Sequence, residues 1–98
     1  MQIVLTADEE HTLRRILTIK GRPYQQSILA EEAAEMIAAI THEWRGRERG
    51  AAEFIEEAAD VLVCLCQFWI LHEQEIAFDF SRKIKRLKER MEKQENEL

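Results

Sequence analysis

From residue 51 to residue 98 the chain contains neither glycine nor proline, and the whole sequence holds only 3 Gly and 1 Pro. Backbone without these residues has few places to turn, so the chain can change direction only at a handful of positions. Abundant Ala, Leu, Ile, Glu, Lys and Arg beside a minority of β-branched residues favour helix over strand. With 98 residues, 46% apolar and 34% charged, the sequence predicts a single all-α domain over 1–98, too short to build two cores.

The punctuation divides this domain into four helices. Thr6-Ala7-Asp8-Glu9 reads as a capping box, in which the threonine hydroxyl accepts from the third helical N–H and the glutamate reaches back. The first helix is expected over about residues 7–19. Gly21 supplies a left-handed residue to end it, and Pro23 suits the first turn of a second helix that runs to about residue 44. Gly46 and Gly50, among Arg45, Arg47, Glu48 and Arg49, mark a loop. A single helix over all that remains would be unusually long. We place a break between residues 72 and 75, where an apolar pattern on all sides gives way to Ile76, Phe80, Ile84, Leu87 and Met91. Four helices are the inventory of a bundle, or of half of a larger one.

Several classes are disfavoured. With 14 basic and 19 acidic residues, net −5, the chain has no overall footprint for nucleic acid, and no such partner is expected. Cys64 and Cys66 lie two apart in an apolar run that suits buried thiols rather than a disulfide, which points to a reducing cytoplasm. The opening Met1-Gln2-Ile3-Val4-Leu5-Thr6-Ala7-Asp8-Glu9-Glu10 has no basic segment and turns acidic at once, which argues against secretion. The longest apolar stretch, residues 61–66 and 68–71 around Gln67, falls short of the ~20 residues a membrane span needs. His11, His42 and His72 do not form a ligand set, since none stands three residues after a Glu as a ferritin-type di-iron centre requires. There is no Ser-His-Asp pattern or phosphate-cradling glycine loop.

The informative residues are acidic. The second helix carries an apolar stripe, Leu29, Ala33, Met36, Ile37, Ile40 and Trp44, that is expected to face the core. Beside it runs another stripe of Ile28, Glu32, Glu35 and Ala39. On the third helix Glu53, Glu57, Asp60, Cys64 and Leu71 share a face. From residue 58 to 71 every residue except Asp60 and Gln67 is apolar, so Asp60 is expected to be buried. A buried carboxylate must be protonated, paired or bound to a cation. Glu31-Glu32-Ala33-Ala34-Glu35 and Glu56-Glu57-Ala58-Ala59-Asp60 repeat one form. Residues three apart share a helix face, so Glu32 with Glu35 and Glu57 with Asp60 each make a two-carboxylate claw. If the two helices pack antiparallel, the claws oppose one another, and four carboxylates with no basic neighbour repel unless a divalent cation sits among them. All-oxygen ligands point to Mg²⁺, with Mn²⁺ as a substitute, rather than zinc. The plain alternative is a set of solvated helix-face charges, and it is the preferred reading for Glu31 and Glu56 taken alone.

These motifs resemble the all-α nucleoside triphosphate pyrophosphohydrolases of the MazG-like superfamily, whose pattern is Glu-Glu-x-x-Glu, a spacer, then Glu-x-x-Asp. Here Glu31-Glu32-x-x-Glu35 and Glu57-x-x-Asp60 are separated by 21 intervening residues, and the likeness extends from about Gln25 to Met91. It implies a MazG-like four-helix bundle that cleaves the α–β anhydride of a (d)NTP, releasing the monophosphate and pyrophosphate, in nucleotide-pool housekeeping. On this reading Glu32, Glu35, Glu57 and Asp60 hold the metal, and Glu31 or Glu32 takes the proton of the attacking water. Gln25, in the family's usual position ahead of the first acids, is placed to reach the base or sugar. Lys83-Ile84-Lys85-Arg86-Leu87-Lys88-Glu89-Arg90 resembles the family's phosphate-binding segment on the last helix. The asparagine common there in longer members is missing, with Arg86 the nearest basic residue.

Residues 82–90 hold six Lys or Arg against one Glu, a local +5 in an acidic chain. Lys83, Arg86 and Arg90 lie on one side of the helix and could bind a triphosphate opposite the claws. A solvated face partnered by Glu89, Glu92 and Glu95 is the other reading. Trp44, Trp69, Tyr24, Phe54, Phe68, Phe78 and Phe80 are expected mostly in the core, with one left to stack on a base. Apolar faces this extensive on a short chain predict a homodimer or dimer of dimers that completes the bundle, with the site near the interface. The rival function is a non-catalytic helical interaction module that uses the basic C-terminal helix.

Overall fold

The computed structural model describes residues 4–97 and contains four helices: α1 (Ala7–Lys20), α2 (Arg22–Trp44), α3 (Gly50–Leu71) and α4 (Glu73–Glu97). Leu98 and the first three residues of the opening segment lie outside the described residues. The capping box forms as the sequence predicts: the Glu9 N–H donates to Thr6 Oγ1 at 3.1 Å and the Thr6 N–H to Glu9 Oε1 at 2.8 Å. Gly21 has φ 86° and ψ 154°. That is not the left-handed helical conformation expected, but it is a region open essentially to glycine alone, and it lets one residue end α1 and start α2.

The α2–α3 turn fixes everything downstream. Gly46 takes φ 73°, and around it the Arg47 N–H donates to the His42 carbonyl at 3.1 Å and the Gly46 N–H to the Glu43 carbonyl at 2.9 Å. This is the paired bonding of a Schellman cap, which needs a left-handed residue at that position. Gly50 is the first residue of α3 rather than part of the loop. A Cβ placed on it would stand 2.6 Å from the Glu43 Cα and 2.7 Å from its nitrogen, so the two helices start their antiparallel run with backbones nearly touching. At the other end of α3 the break falls on His72 alone, whose N–H still donates to the Phe68 carbonyl at 2.9 Å before α4 begins.

The core lies where α1, α2 and α3 meet and holds Leu13, Ala39, Cys64 and Phe68, together with two glutamines, Gln25 and Gln67. Three expectations are corrected here. The deepest positions of α2 are Gln25 and Ala39, on the face that carries Ile28 and Glu32, while Ile37 and Trp44 of the predicted core stripe are exposed. Asp60 is exposed as well, because α2 covers only one side of α3 and leaves the rest of its apolar surface bare. Among the aromatics only Phe68 is buried, at 9% exposure, whereas Trp44 is 82% exposed. The reason is common to all three: hydrophobicity marks the surfaces that avoid water, but one chain of this size covers only part of them. No residue of α4 is buried, and among the described residues its backbone approaches no helix except α3.

Gly50→Ala tests the tight turn. In an ordinary helix start this change is neutral or favourable by up to ~1 kcal/mol. Here a methyl group would meet α2 backbone, so urea denaturation should show a loss of about 1–3 kcal/mol. Unchanged or higher stability would mean that the close approach is not needed.

Candidate metal centre

Antiparallel pairing about the residue 45–49 turn sets residues equidistant from its centre opposite each other. His42 of α2 meets Glu53 of α3, Nδ1 to Oε2 2.8 Å, in a half-buried pair. Further from the loop, Glu35 and Glu32 of α2, seven and ten residues back from His42, reach toward Glu57 of α3, four residues on from Glu53. One carboxylate oxygen from each lies within 4.8 Å of the other two. The alanines between the acids, Ala33, Ala34, Ala58 and Ala59, keep this part of the hairpin free of bulk.

The cluster has no internal compensation. Among the described residues no Lys, Arg or His forms an ion pair with Glu32, Glu35, Glu57 or Asp60. Glu32 Oε2 and Glu57 Oε2 are buried and without a hydrogen-bond donor. Burial pushes the Glu32 carboxyl above its ordinary range, and the charges of Glu35, Asp60 and Glu57 push it further. The Glu57 carboxyl rises for the same reasons, burial first, then Glu35, Asp60 and Glu56. Every contribution to both groups raises them, and none comes from a cation on the chain. Burial also raises the Cys64 thiol, with Glu32 and Asp60 adding to the effect.

A buried acceptor without a donor is costly, and buried charges are normally paired or bound to a metal. Oxygen ligands of a Mg²⁺-sized ion stand about 3–4 Å apart, inside the 4.8 Å that bounds the trio. The donor set is all oxygen, which suits Mg²⁺ or Mn²⁺ better than zinc. By this test the residues fit a hard divalent cation.

The other expected site residues are placed less tightly. Asp60 acts on Glu32 and Glu57 through its charge but stands exposed beside the trio. Glu31 is exposed, one position off the clustered face. Gln25 is 5% exposed at the far end of the α2–α3 seam. Lys83, Arg86 and Arg90 are exposed on α4 and form no ion pair among the described residues. Within one chain nothing brings them to the acids. Sequence reasoning passed over the His42–Glu53 pair, although counting outward equally from the turn would have found it. It also passed over Gln67, 4% exposed with an unpartnered Oε1, whose signal was its position as the one uncharged polar residue in an apolar run.

The sequence profile of the MazG nucleotide pyrophosphohydrolase domain matches residues 25–98, a span that includes every one of these acids and the basic stretch of α4. Comparison with curated proteins and with solved structures returns no match.

The raised carboxyls make a signed prediction for the cation-free protein. Groups with a raised folded-state pKa stabilise fully below the ordinary glutamate value of about 4.5, and this contribution is lost as pH climbs through the raised values. The melting temperature of cation-free wild type should therefore fall relative to Glu32→Gln as pH rises above about 4.5, and millimolar Mg²⁺ should remove the difference. Parallel profiles for the two proteins, unmoved by Mg²⁺, would count against the centre.

Proposed function

The chain belongs to the MazG nucleotide pyrophosphohydrolase domain family, and from that membership and the acid cluster we propose that it hydrolyses (d)NTPs to the monophosphate and pyrophosphate. The observation that carries the reading is the convergence of Glu32, Glu35 and Glu57, with two buried oxygens lacking any donor. Glu32, Glu35, Glu57 and Asp60 hold Mg²⁺, or Mn²⁺ in its place. A cation bound there supplies Lewis acidity to the phosphates and to the attacking water.

Water attacks the α-phosphorus, the α–β P–O bond breaks, and the electron pair leaves with pyrophosphate. Glu32, whose proton affinity burial raises, or its exposed neighbour Glu31 accepts the proton that the water gives up. Lys83, Arg86 and Arg90 bind the β and γ phosphates and stabilise charge on the leaving group. Gln25 contacts the base or sugar. The chain acts as one domain in a homodimer or dimer of dimers, in the cytoplasm, and its role is nucleotide-pool housekeeping. None of its described helices is long and apolar enough to cross a membrane.

Pyrophosphate release from a panel of (d)NTPs with Mg²⁺ tests the reading. Glu32→Gln and Asp60→Asn should each lower kcat at least ~100-fold, the scale of losing a group that stabilises transition-state charge, with helicity by circular dichroism unchanged. Wild-type rates from both variants would remove the acid cluster from the chemistry and overturn the reading, and no turnover of any nucleotide by wild type would favour the helical interaction module instead.

A further inference from the structure

Two chain reversals meet at the end of the hairpin remote from the α2–α3 turn. Gly21 and Arg22 lead from α1 into α2 there, and His72 leads from α3 into α4. Between them lies a cleft of about 470 Å³, bounded by Arg22, by His72 and by the first three turns of α4 as far as Lys83. Its volume is within the range of small-ligand sites, about 300–1,000 Å³.

The charges that line this cleft do not cancel one another. Both of its acids are already engaged: Glu75 Oε1 lies 3.5 Å from His72 Nδ1, and Asp79 Oδ1 accepts from the Arg82 guanidinium at 3.2 Å. Arg22 and Lys83 form no ion pair among the described residues. They belong to different helices and line one cleft, so they repel each other unless an anion lies between them. Ile76 and Phe80 make part of the wall apolar, which strengthens the pull of both cations on such an anion.

The two groups suit phosphate. A guanidinium presents a planar fork of N–H donors to two phosphate oxygens, and an ammonium adds a compact charge. A carboxylate ligand, with its single charge, would leave one of the two cations uncompensated. Arg22 stands ten residues before Glu32 on the same helix, about 15 Å along its axis. The cleft is therefore separate from the acid trio and suits phosphates remote from the metal. Arg22 also precedes residues 25–98, the span that matches the MazG domain, so nothing in that match assigns it a role.

We propose that Arg22 is a phosphate-binding residue that, across this cleft from Lys83, holds the pyrophosphate end of the nucleotide, the group that leaves. The role rests on the hydrolase reading, but the binding itself is tested without turnover.

Inorganic pyrophosphate is titrated calorimetrically into the full chain in metal-free buffer, so that no cation bridges it to the acids. Wild type should bind it saturably, and Arg22→Gln should bind it at least ~10-fold more weakly, the scale of one charge-assisted hydrogen bond. Arg22→Lys keeps the charge and loses the fork, and its affinity should fall between the two. Arg15→Gln removes another exposed positive charge, from α1, and should bind as wild type does. No saturable binding by wild type, wild-type affinity in Arg22→Gln, or an equal loss in Arg15→Gln overturns the proposal. In turnover, kcat/KM for a (d)NTP should fall by a similar factor in Arg22→Gln with helicity unchanged, and an unchanged kcat/KM also overturns it. Inactivity of wild type toward every nucleotide would sink the hydrolase reading while leaving the pyrophosphate affinities as they are.

Discussion

Mutual repulsion among Glu32, Glu35 and Glu57 is the interaction on which the structure turns. Three carboxylates with oxygens within 4.8 Å, two of them partly withdrawn from water, oppose the packing of the helices that carry them. Among the described residues no Lys or Arg pairs with these acids and no donor reaches the buried oxygens. Protonation of a carboxyl, or positive charge brought from outside, relieves this repulsion. On the proposed function a divalent cation would supply that charge, and the phosphates of a nucleotide would be its natural further ligands. On that proposal, folding of the hairpin and its chemistry share one electrostatic requirement.

The rest of the hairpin keeps that cluster in register. Gly46 closes α2 with a Schellman cap, and Gly50 lets the first turn of α3 approach Glu43 more closely than any side chain would allow. These two glycines set the zero of the register. From there His42 falls at Glu53, and further along the hairpin Glu32 and Glu35 come to Glu57. Ala39 is buried on the same face of α2, and the alanines between the acids add little bulk beside it. The basic residues answer to a different logic, because α4 leaves the hairpin at His72 and carries them away from the acids of its own chain.

The legible features were those encoded by local stereochemistry. Thr6 and Glu9 form the capping box, Gly21 and Pro23 divide the first two helices, and the loss of the all-round apolar pattern located the break at His72. The acid spacing was legible too, since residues three apart must share a helix face. What was misread depended on which surfaces a single chain can cover. Hydrophobicity nominated Ile37 and Trp44 for the core, yet the face of α2 that meets α3 is the one bearing Gln25, Glu32 and Ala39. Asp60 was expected inside because its neighbours are apolar, but those neighbours are themselves exposed. A stripe announces that it avoids water, not whether its cover comes from the same molecule.

Calorimetric titration of Mn²⁺ into the cation-free protein near pH 6, run in two buffers of different ionisation enthalpy, tests the linkage between carboxylate protonation and metal binding. The account predicts saturable binding with net proton release, and loss of both in Glu57→Gln. Binding that is equally strong in Glu57→Gln, or that releases no proton, would contradict the claim that a cation holds these carboxylates together.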